Sequence, residues 1–445
     1  MSEIDSSPKK RFKFTLAEKS WMLYDWANSV YATNIMAAIF PIYFVAVAGN
    51  AGDRMWALGS SIATLVVALL APILGAIADY RGMKKKFLVA FIAIGTSFTL
   101  LMALTDNWKL MLLGYIVSYI GFTGANLFYD SFLTDVTTKD RMDKVSSYGF
   151  ALGYVGGSTI AFLISLAFMF VLGLDNPLGV KIAVIITVVW WAVFSLPIIL
   201  KVKQIHFIMD RPKDLIFESL KSVVKTFRSI ISHKGVFVFI IAYFFYIDGV
   251  NTVIHMATAY GKTLGLDTMG MIIALLVTQI VAVPCTILFG ILSKRHGSLR
   301  MILFAVCMYA VICAVGFYMG FSIESAPETG IAHDQAVQVS QILFFIMAIL
   351  VGTVQGGIQA LSRSYFGKLI PAERSNEYFG FFDIFGKFAA VLGPFLYAAV
   401  SSATGSAASG IAGVAGLFVI AFIVLIAGRK IMKEAEQSGG IGGEN

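Results

Sequence analysis

The sequence predicts an all-α membrane protein of twelve transmembrane helices in two six-helix repeats, and three observations predict it. The first is composition. Hydrophobic residues make up 58% of the 445 and charged residues 13%, with a mean hydropathy of +0.81; soluble domains run at roughly 45–50% and about 25%. So much apolar surface cannot be hidden in one aqueous core, and the bilayer becomes the solvent. The second is a set of twelve apolar stretches near the ~20 residues that a helix needs to cross the hydrocarbon with its backbone hydrogen bonds satisfied internally. The third is internal repetition about a polar central interval.

The stretches lie at 21–45, 56–78, 87–105, 109–132, 146–172, 179–200, 235–258, 269–292, 300–321, 339–361, 378–402 and 409–428, and are numbered as spans one to twelve. An even number returns both termini to one side. If that side is the cytoplasm, nearly all of the 34 Lys and Arg residues fall there, from Lys9, Lys10 and Arg11 to Arg429, Lys430 and Lys433. The exceptions are Arg54, Lys109, Lys181 and Lys262 outside, and Lys387 within a span. This asymmetry is what orients a polytopic protein in the plasma (inner) membrane. The net charge of +8 is therefore topological and implies no nucleic-acid partner. Residues 1–20 are polar, and the apolar run from Trp21 is too long for a cleavable signal. Cys285, Cys307 and Cys313 all fall in spans without metal-type spacing, which assigns them to packing.

These boundaries divide the chain into an N-terminal half (1–200), a cytoplasmic linker (201–234), a C-terminal half (235–428) and a tail (429–445). In the linker, Ile216, Leu220, Val223, Val224, Phe227, Ile230 and Ile231 keep helical spacing opposite Lys221, Lys225 and Arg228, with Pro212 suited to the first turn. Such a helix is expected along the membrane surface, its bases toward anionic headgroups. The halves match in order. Asp25-Trp-Ala-Asn28 recurs as Asp248-Gly-Val-Asn251, and Gly75-Ala-Ile-Ala-Asp79 faces Gly290-Ile-Leu-Ser-Lys294. Asn126 and Asp130 align with Gln359 and Arg363, and Tyr148-Gly149-Phe150 with Phe379-Gly380-Phe381. Parallel six-span repeats are a transporter architecture.

Ionisable groups in spans cost several kcal/mol, roughly, so their placement is informative. Spans three, six, nine and twelve are nearly free of them and suit lipid. The polar residues fall on corresponding helices of both halves: Asp25, Asn28 and Asn34 on one, Asn126 and Asp130 on four, Asp248, Asn251 and His255 on seven, Gln355, Gln359 and Arg363 on ten, and Asp383 and Lys387 on eleven. That distribution describes a cavity at the repeat interface, lined by Asp25, Asn28, Asn126, Asp248, Asn251, Gln355, Gln359, Asp383 and Lys387. Asp248, Asn251 and His255 share a helix face. Asp248 has no sequence-local cation, which suits a carboxylate that gains and loses a proton; His255 reads better as a hydrogen-bonded aromatic. Asp383 and Lys387 are four apart and either neutralise each other or bind substrate. For Asp25, capping or an interdomain salt bridge stands beside a transport role. Gly149, Gly153 and Gly157 let span five approach a neighbour closely, and Gly393-Pro394 reads as a bend or break in span eleven. Gly261-Lys262-Thr263 lacks the earlier glycine of a phosphate loop, the position being Met256. No enzyme signature survives, and neither cofactor nor metal is expected.

The segment Gly75-Ala-Ile-Ala-Asp79-Tyr-Arg81-Gly82-Met-Lys84-Lys85 resembles the signature loop of the major facilitator superfamily. More narrowly, Tyr24-Asp25-Trp26-Ala27-Asn28-Ser29 and Gly356-Gly357-Ile-Gln359-Ala-Leu-Ser-Arg363-Ser-Tyr365-Phe366-Gly367-Lys368 resemble its vacuole-effluxer-like branch, whose fungal members export amino acids. The resemblance implies two six-helix domains around a central cavity, with spans one, four, seven and ten innermost. It also implies a cytoplasmic latch between the domains, for which Asp79, Arg81, Lys84, Asp130 and Arg363 are the candidates; Lys294 stands where the second copy would need an aspartate. The expected function is secondary active transport of a small polar solute, with amino acids as one candidate class, by alternating access and coupled to an ion gradient, protons first. A passive facilitator or channel, or a transporter-like sensor without flux, is the alternative. The expected partners are the solute, a coupling ion and the bilayer, with the chain acting as a monomer.

Overall fold

The computed structural model describes residues 12–173, 176–326 and 332–443. Lys9, Lys10 and Arg11 of the charge pattern lie outside them. Among the described residues, eleven helices are long and apolar enough to cross a membrane, and a bent pair at the start makes a twelfth span. The helices outrun the apolar stretches at their polar ends. Span ten covers His333–Leu369 and span five Met142–Val155 with its continuation to Leu172. At the Leu369 end of span ten and the Met142 end of span five the extra turns carry buried polar side chains, Ser362, Arg363, Ser364 and Lys368 on one and Asp143 on the other.

Span one starts with a capping box. The Thr15 hydroxyl accepts the Glu18 N–H at 3.1 Å, and the Glu18 carboxylate accepts the Thr15 N–H at 2.7 Å. It then departs from a straight rod. Leu16–Tyr31 is α-helical, Ala32–Ala38 is π-helical, and the axis turns by 40° into the segment beginning at Phe40. Pro41 explains the turn, since it lacks an amide hydrogen and its ring crowds the carbonyl four residues back. In the π segment Asn34 is buried and donates to Ser165 and Thr187. Of the bend or break expected at Gly393-Pro394 in span eleven, the break is ruled out: Ser375–Thr404 is one helix that runs through Pro394.

Span two (Arg54–Ala78) packs on span eleven, and span eight (Thr268–His296) packs on span five. Eight repeats two and eleven repeats five, so one interface is used twice. Its close points are the repeated glycines. A Cβ on Gly75 would run into the backbone of Asn376 and Glu377, and one on Gly290 into Ser147 and the Asp143 carbonyl. Gly149, Gly153 and Gly157 have the neighbour expected of them, which is span one at Asp25, Ser29 and Val30.

The linker helix is Leu215–Ser232, capped by Asp214, so Pro212 lies before its first turn rather than in it. Its hydroxyl stripe faces inward: Ser219 and Thr226 are buried, Ser222 donates to Glu377 at 2.9 Å, and Ser229 accepts from Tyr378 at 3.3 Å. Ile216, Leu220, Val224, Phe227 and Ile231 face outward. This inverts a soluble surface helix and fits one whose outer surroundings are lipid. Spans three, six, nine and twelve also expose large apolar side chains, among them Val89, Val193, Phe304 and Ile423.

The N-terminal turn of span one, the linker and the tail helix Arg429–Ser438 share one end of the bundle, hereafter the terminal end. In a cysteine-free background, Lys221→Cys at that end should resist a membrane-impermeant thiol reagent in intact cells, while Asp334→Cys at the other end reacts. The reverse pattern would overturn the orientation drawn from charge.

Candidate functional site

At the terminal end the two halves are sealed by buried charge. Arg363, on span ten, is the centre. It donates to Asp130 at 2.8 Å, to Asp25 at 3.2 Å and to Ser146 at 3.0 Å, and its guanidinium lies 4.7 Å over the Trp21 ring and 4.4 Å over the Phe150 ring. Asp25 also accepts the Tyr129 hydroxyl at 2.6 Å. Asp130 and Arg363 are the repeat-equivalent positions of spans four and ten, 233 residues apart. They meet because equivalent residues on facing helices converge at the axis that relates the repeats. One being acid and the other base makes the meeting attractive.

Two flanking clusters obey the same symmetry with their charges exchanged. On one side Lys84 bonds Asp135 at 2.7 Å and Ser375 at 2.9 Å, joining the start of span three, the end of span four and the start of span eleven. On the other, Lys368 bonds Asp143 at 2.7 Å and Ser298 at 2.9 Å, joining the end of span ten, the start of span five and the start of span nine. Asp143 also accepts from Ser298 and Ser364. Asp79 adds a helix cap across the halves: its carboxylate accepts the Asn376 N–H at 2.9 Å, the Asn376 side-chain amide at 2.7 Å and the Glu377 N–H at 3.1 Å. Those amides open span eleven, where a carboxylate completes the orphan donors and opposes the helix dipole. Ser131 donates to the Asn376 side chain from the first half.

Of the latch candidates, Asp79, Lys84, Asp130 and Arg363 thus stand in the seam, and Arg81 does not. It is exposed beside Phe207. Asp25, named for the cavity, belongs to the seam through Arg363. Asp135, Asp143, Ser146, Lys368 and Asn376 were missed. The 233-residue offset that pairs Asp130 with Arg363 also relates Asp135 to Lys368 and Asp143 to Asn376 and is the signal for those four; it places Ser146 opposite Phe379 and gives no sign of it.

Above the seam, Asn28 donates to Asn126. Lys387 and Asp383 form the i, i+4 pair, partly open, within electrostatic range of Asp130. Asn251 and Gln359 are half-buried, and Gln355 is buried. Asp248 is wholly buried with neither Lys387 nor Arg363 as partner. One of its oxygens accepts the Gly393 N–H at 3.0 Å and the other has no hydrogen-bond partner. Gly393 precedes the proline of span eleven, so Asp248 fixes that helix where its own ladder is interrupted. Among the described residues no three His, Cys, Asp or Glu side chains converge as a metal site requires.

The linker's first residues strap the seam from outside. Asp135 accepts the Ile205 and His206 N–H groups at 2.9 and 2.8 Å and contacts the His206 ring at 3.1 Å. That bond raises the His206 pKa above its ordinary value.

The sequence profile of the family described as "Vacuole effluxer Atg22 like" matches residues 54–141 and 134–436. An uncharacterized MFS-type transporter, YxiO of Bacillus subtilis (strain 168), is 41% identical over 93% of this chain and 95% of its own length. Autophagy-related protein 22 of Eremothecium gossypii is 23% identical over 86% of this chain and 85% of its own. Among solved structures, the major facilitator transporter FucP in its outward conformation superposes with a TM-score of 0.66 at 14% identity, covering 93% of this chain and 97% of that one. A bacterial homologue of the iron transporter ferroportin in an outward-facing state gives 0.64 at 12%, covering 93% and 98%.

Removing one partner of a buried pair strands the other charge, at about 3–5 kcal/mol. Arg363→Gln should therefore open the terminal end, read as a longer spin-label distance between Asp140→Cys and Arg300→Cys. The exchange Asp130→Arg with Arg363→Asp should recover part of the closure. An unchanged distance in Arg363→Gln would remove the seam from conformational control. The His206 contact has its own signature. A histidine pKa raised by docking contributes stability that is complete at low pH and lost as pH rises through the raised value. Hydrogen exchange of residues 202–208, corrected for intrinsic rate, should accelerate as pH passes the ordinary imidazole range, and His206→Ala should flatten that rise.

Proposed function

Because this chain belongs to the vacuole effluxer Atg22-like family of major facilitator transporters, we propose that it is a proton-coupled, alternating-access transporter of a small zwitterionic solute, of which amino acids are the natural class. It is a multi-pass membrane transporter and not an enzyme. The rest is our reading. The terminal end is the cytoplasmic one and the 201–234 segment joins halves 1–200 and 235–428, so a seam closed there leaves the cavity facing out.

The observation that carries the coupling is Asp248: buried, without a cation, and with one oxygen unpartnered. A carboxylate so placed is costly unless protonated, and water entering with a change of state lets the proton leave. The Gly393 contact gives that change a mechanical outlet, since the same carboxylate holds span eleven. Zwitterion selectivity is supported by Asp383 and Lys387. A solute carrying an ammonium and a carboxylate can replace each member of that pair with its own group, leaving no charge unpaired. The fungal resemblance points to the same class.

Uptake into proteoliposomes tests this directly. A labelled amino-acid mixture should accumulate above equilibrium when a pH gradient is imposed; equilibration alone would make the protein a facilitator, and no flux would exclude transport of this class. Asp248→Asn, fixed in the protonated form, should lose accumulation while keeping binding and exchange. If binding fell instead, Asp248 would be a substrate ligand, and normal accumulation would take it out of the mechanism.

A further inference from the structure

A second site lies outside the seam. Between the turn at Arg81 and Gly82, the first turns of span three and the linker residues 203–207 is an open pocket of about 710 Å³. Four cations line it: Arg81, Lys85, Lys86 and Lys203. None of the four is in an ion pair among the described residues. Lys85 donates to the Val202 carbonyl at 3.0 Å, which fixes it at the pocket wall. Gly82, at φ 75°, turns the chain into span three, and no side chain caps that helix start. Like charges drawn together with no counter-charge repel one another, and the arrangement is completed by an anion. Half-buried Gln204 and Phe207 complete the linker side, and the wall on span three is apolar and exposed, Val89 and Ala90 continuing toward Ile94. The pocket therefore has a charged mouth at the level of the span ends and an apolar run leading into the membrane.

We propose that this pocket binds the phosphate of an anionic phospholipid, with an acyl chain lying along the Val89 face of span three. A free phosphate shares the headgroup chemistry but leaves the apolar run unused. The site also touches the seam. The Arg81 N–H donates to the Ile208 carbonyl at 3.3 Å, the Ile208 N–H to the Asp79 carbonyl at 2.9 Å, and the Gln204 amide to the Ala78 carbonyl at 3.2 Å. A lipid bridging Arg81 and Lys203 would hold together the two segments that position Asp79. The proposal does not depend on what is transported.

Native mass spectrometry of the purified full chain tests it with dioctanoyl phosphatidylglycerol as probe, against dioctanoyl phosphatidylcholine and inorganic phosphate. Phosphatidylglycerol should bind in a saturable step that phosphatidylcholine does not reproduce and that millimolar phosphate does not displace. Lys86→Gln with Lys203→Gln should weaken it roughly tenfold or more, given about a factor of five per basic residue near a charged lipid surface. Lys221→Gln with Lys225→Gln, on the linker helix away from the pocket, should change it less than twofold. If the first double variant is not monodisperse, Lys203→Gln alone should weaken binding by roughly fivefold on the same scale. Equal binding of phosphatidylcholine, displacement by phosphate, or equal losses in the two double variants would each overturn the proposal.

Discussion

The closed end depends on neutralising one guanidinium. Arg363 is buried away from bulk solvent, and an unpaired charge left there is costly. Asp130 and Asp25 answer it from the first half, and three aromatic faces surround it. Around that fixed point the remaining contacts fall into place: spans four and ten are drawn together, and the starts of spans five and eleven follow. Such a seam is strong only when complete, so it separates two states sharply rather than yielding by degrees.

Symmetry explains the seam's economy. Each packing surface is used twice, with a glycine at the same place in each copy so that a helix start can come close. The charges are not copied in the same way. Lys84 with Asp135 becomes Ser298 with Lys368, and the anion moves to Asp143 at the start of span five. The fold kept the geometry of the repeat and varied which member carries the sign. Asp79 has no counterpart of its charge either, since Lys294 occupies that position.

The membrane class, the twelve spans and the polar helices are legible because each rests on composition within about twenty residues. Partnerships are not, since Arg363 and Asp25 lie 338 residues apart and no local rule links them. Asp143 and Lys368 were overlooked for a different reason. An apolar window stops where a helix leaves the hydrocarbon, and Asp143 lies one turn and Lys368 about two turns beyond it, still inside the helix. Arg81 and Lys84 are a matched case of neighbours with opposite fates: one is exposed, the other wholly buried. Pro394 reads as a bend or break because its missing amide is visible in sequence; the contact by which Asp248 steadies the helix there from span seven is visible only in three dimensions.

The convergence of Asp130 and Arg363 has a consequence for assembly. Two copies of the first half, facing each other as the two repeats do, would set Asp130 against Asp130; two copies of the second would set Arg363 against Arg363. The central contact is thus attractive only between unlike halves, since each carries one sign of the pair. At this point the fused chain behaves as two unlike partners, one supplying the acid and the other the base.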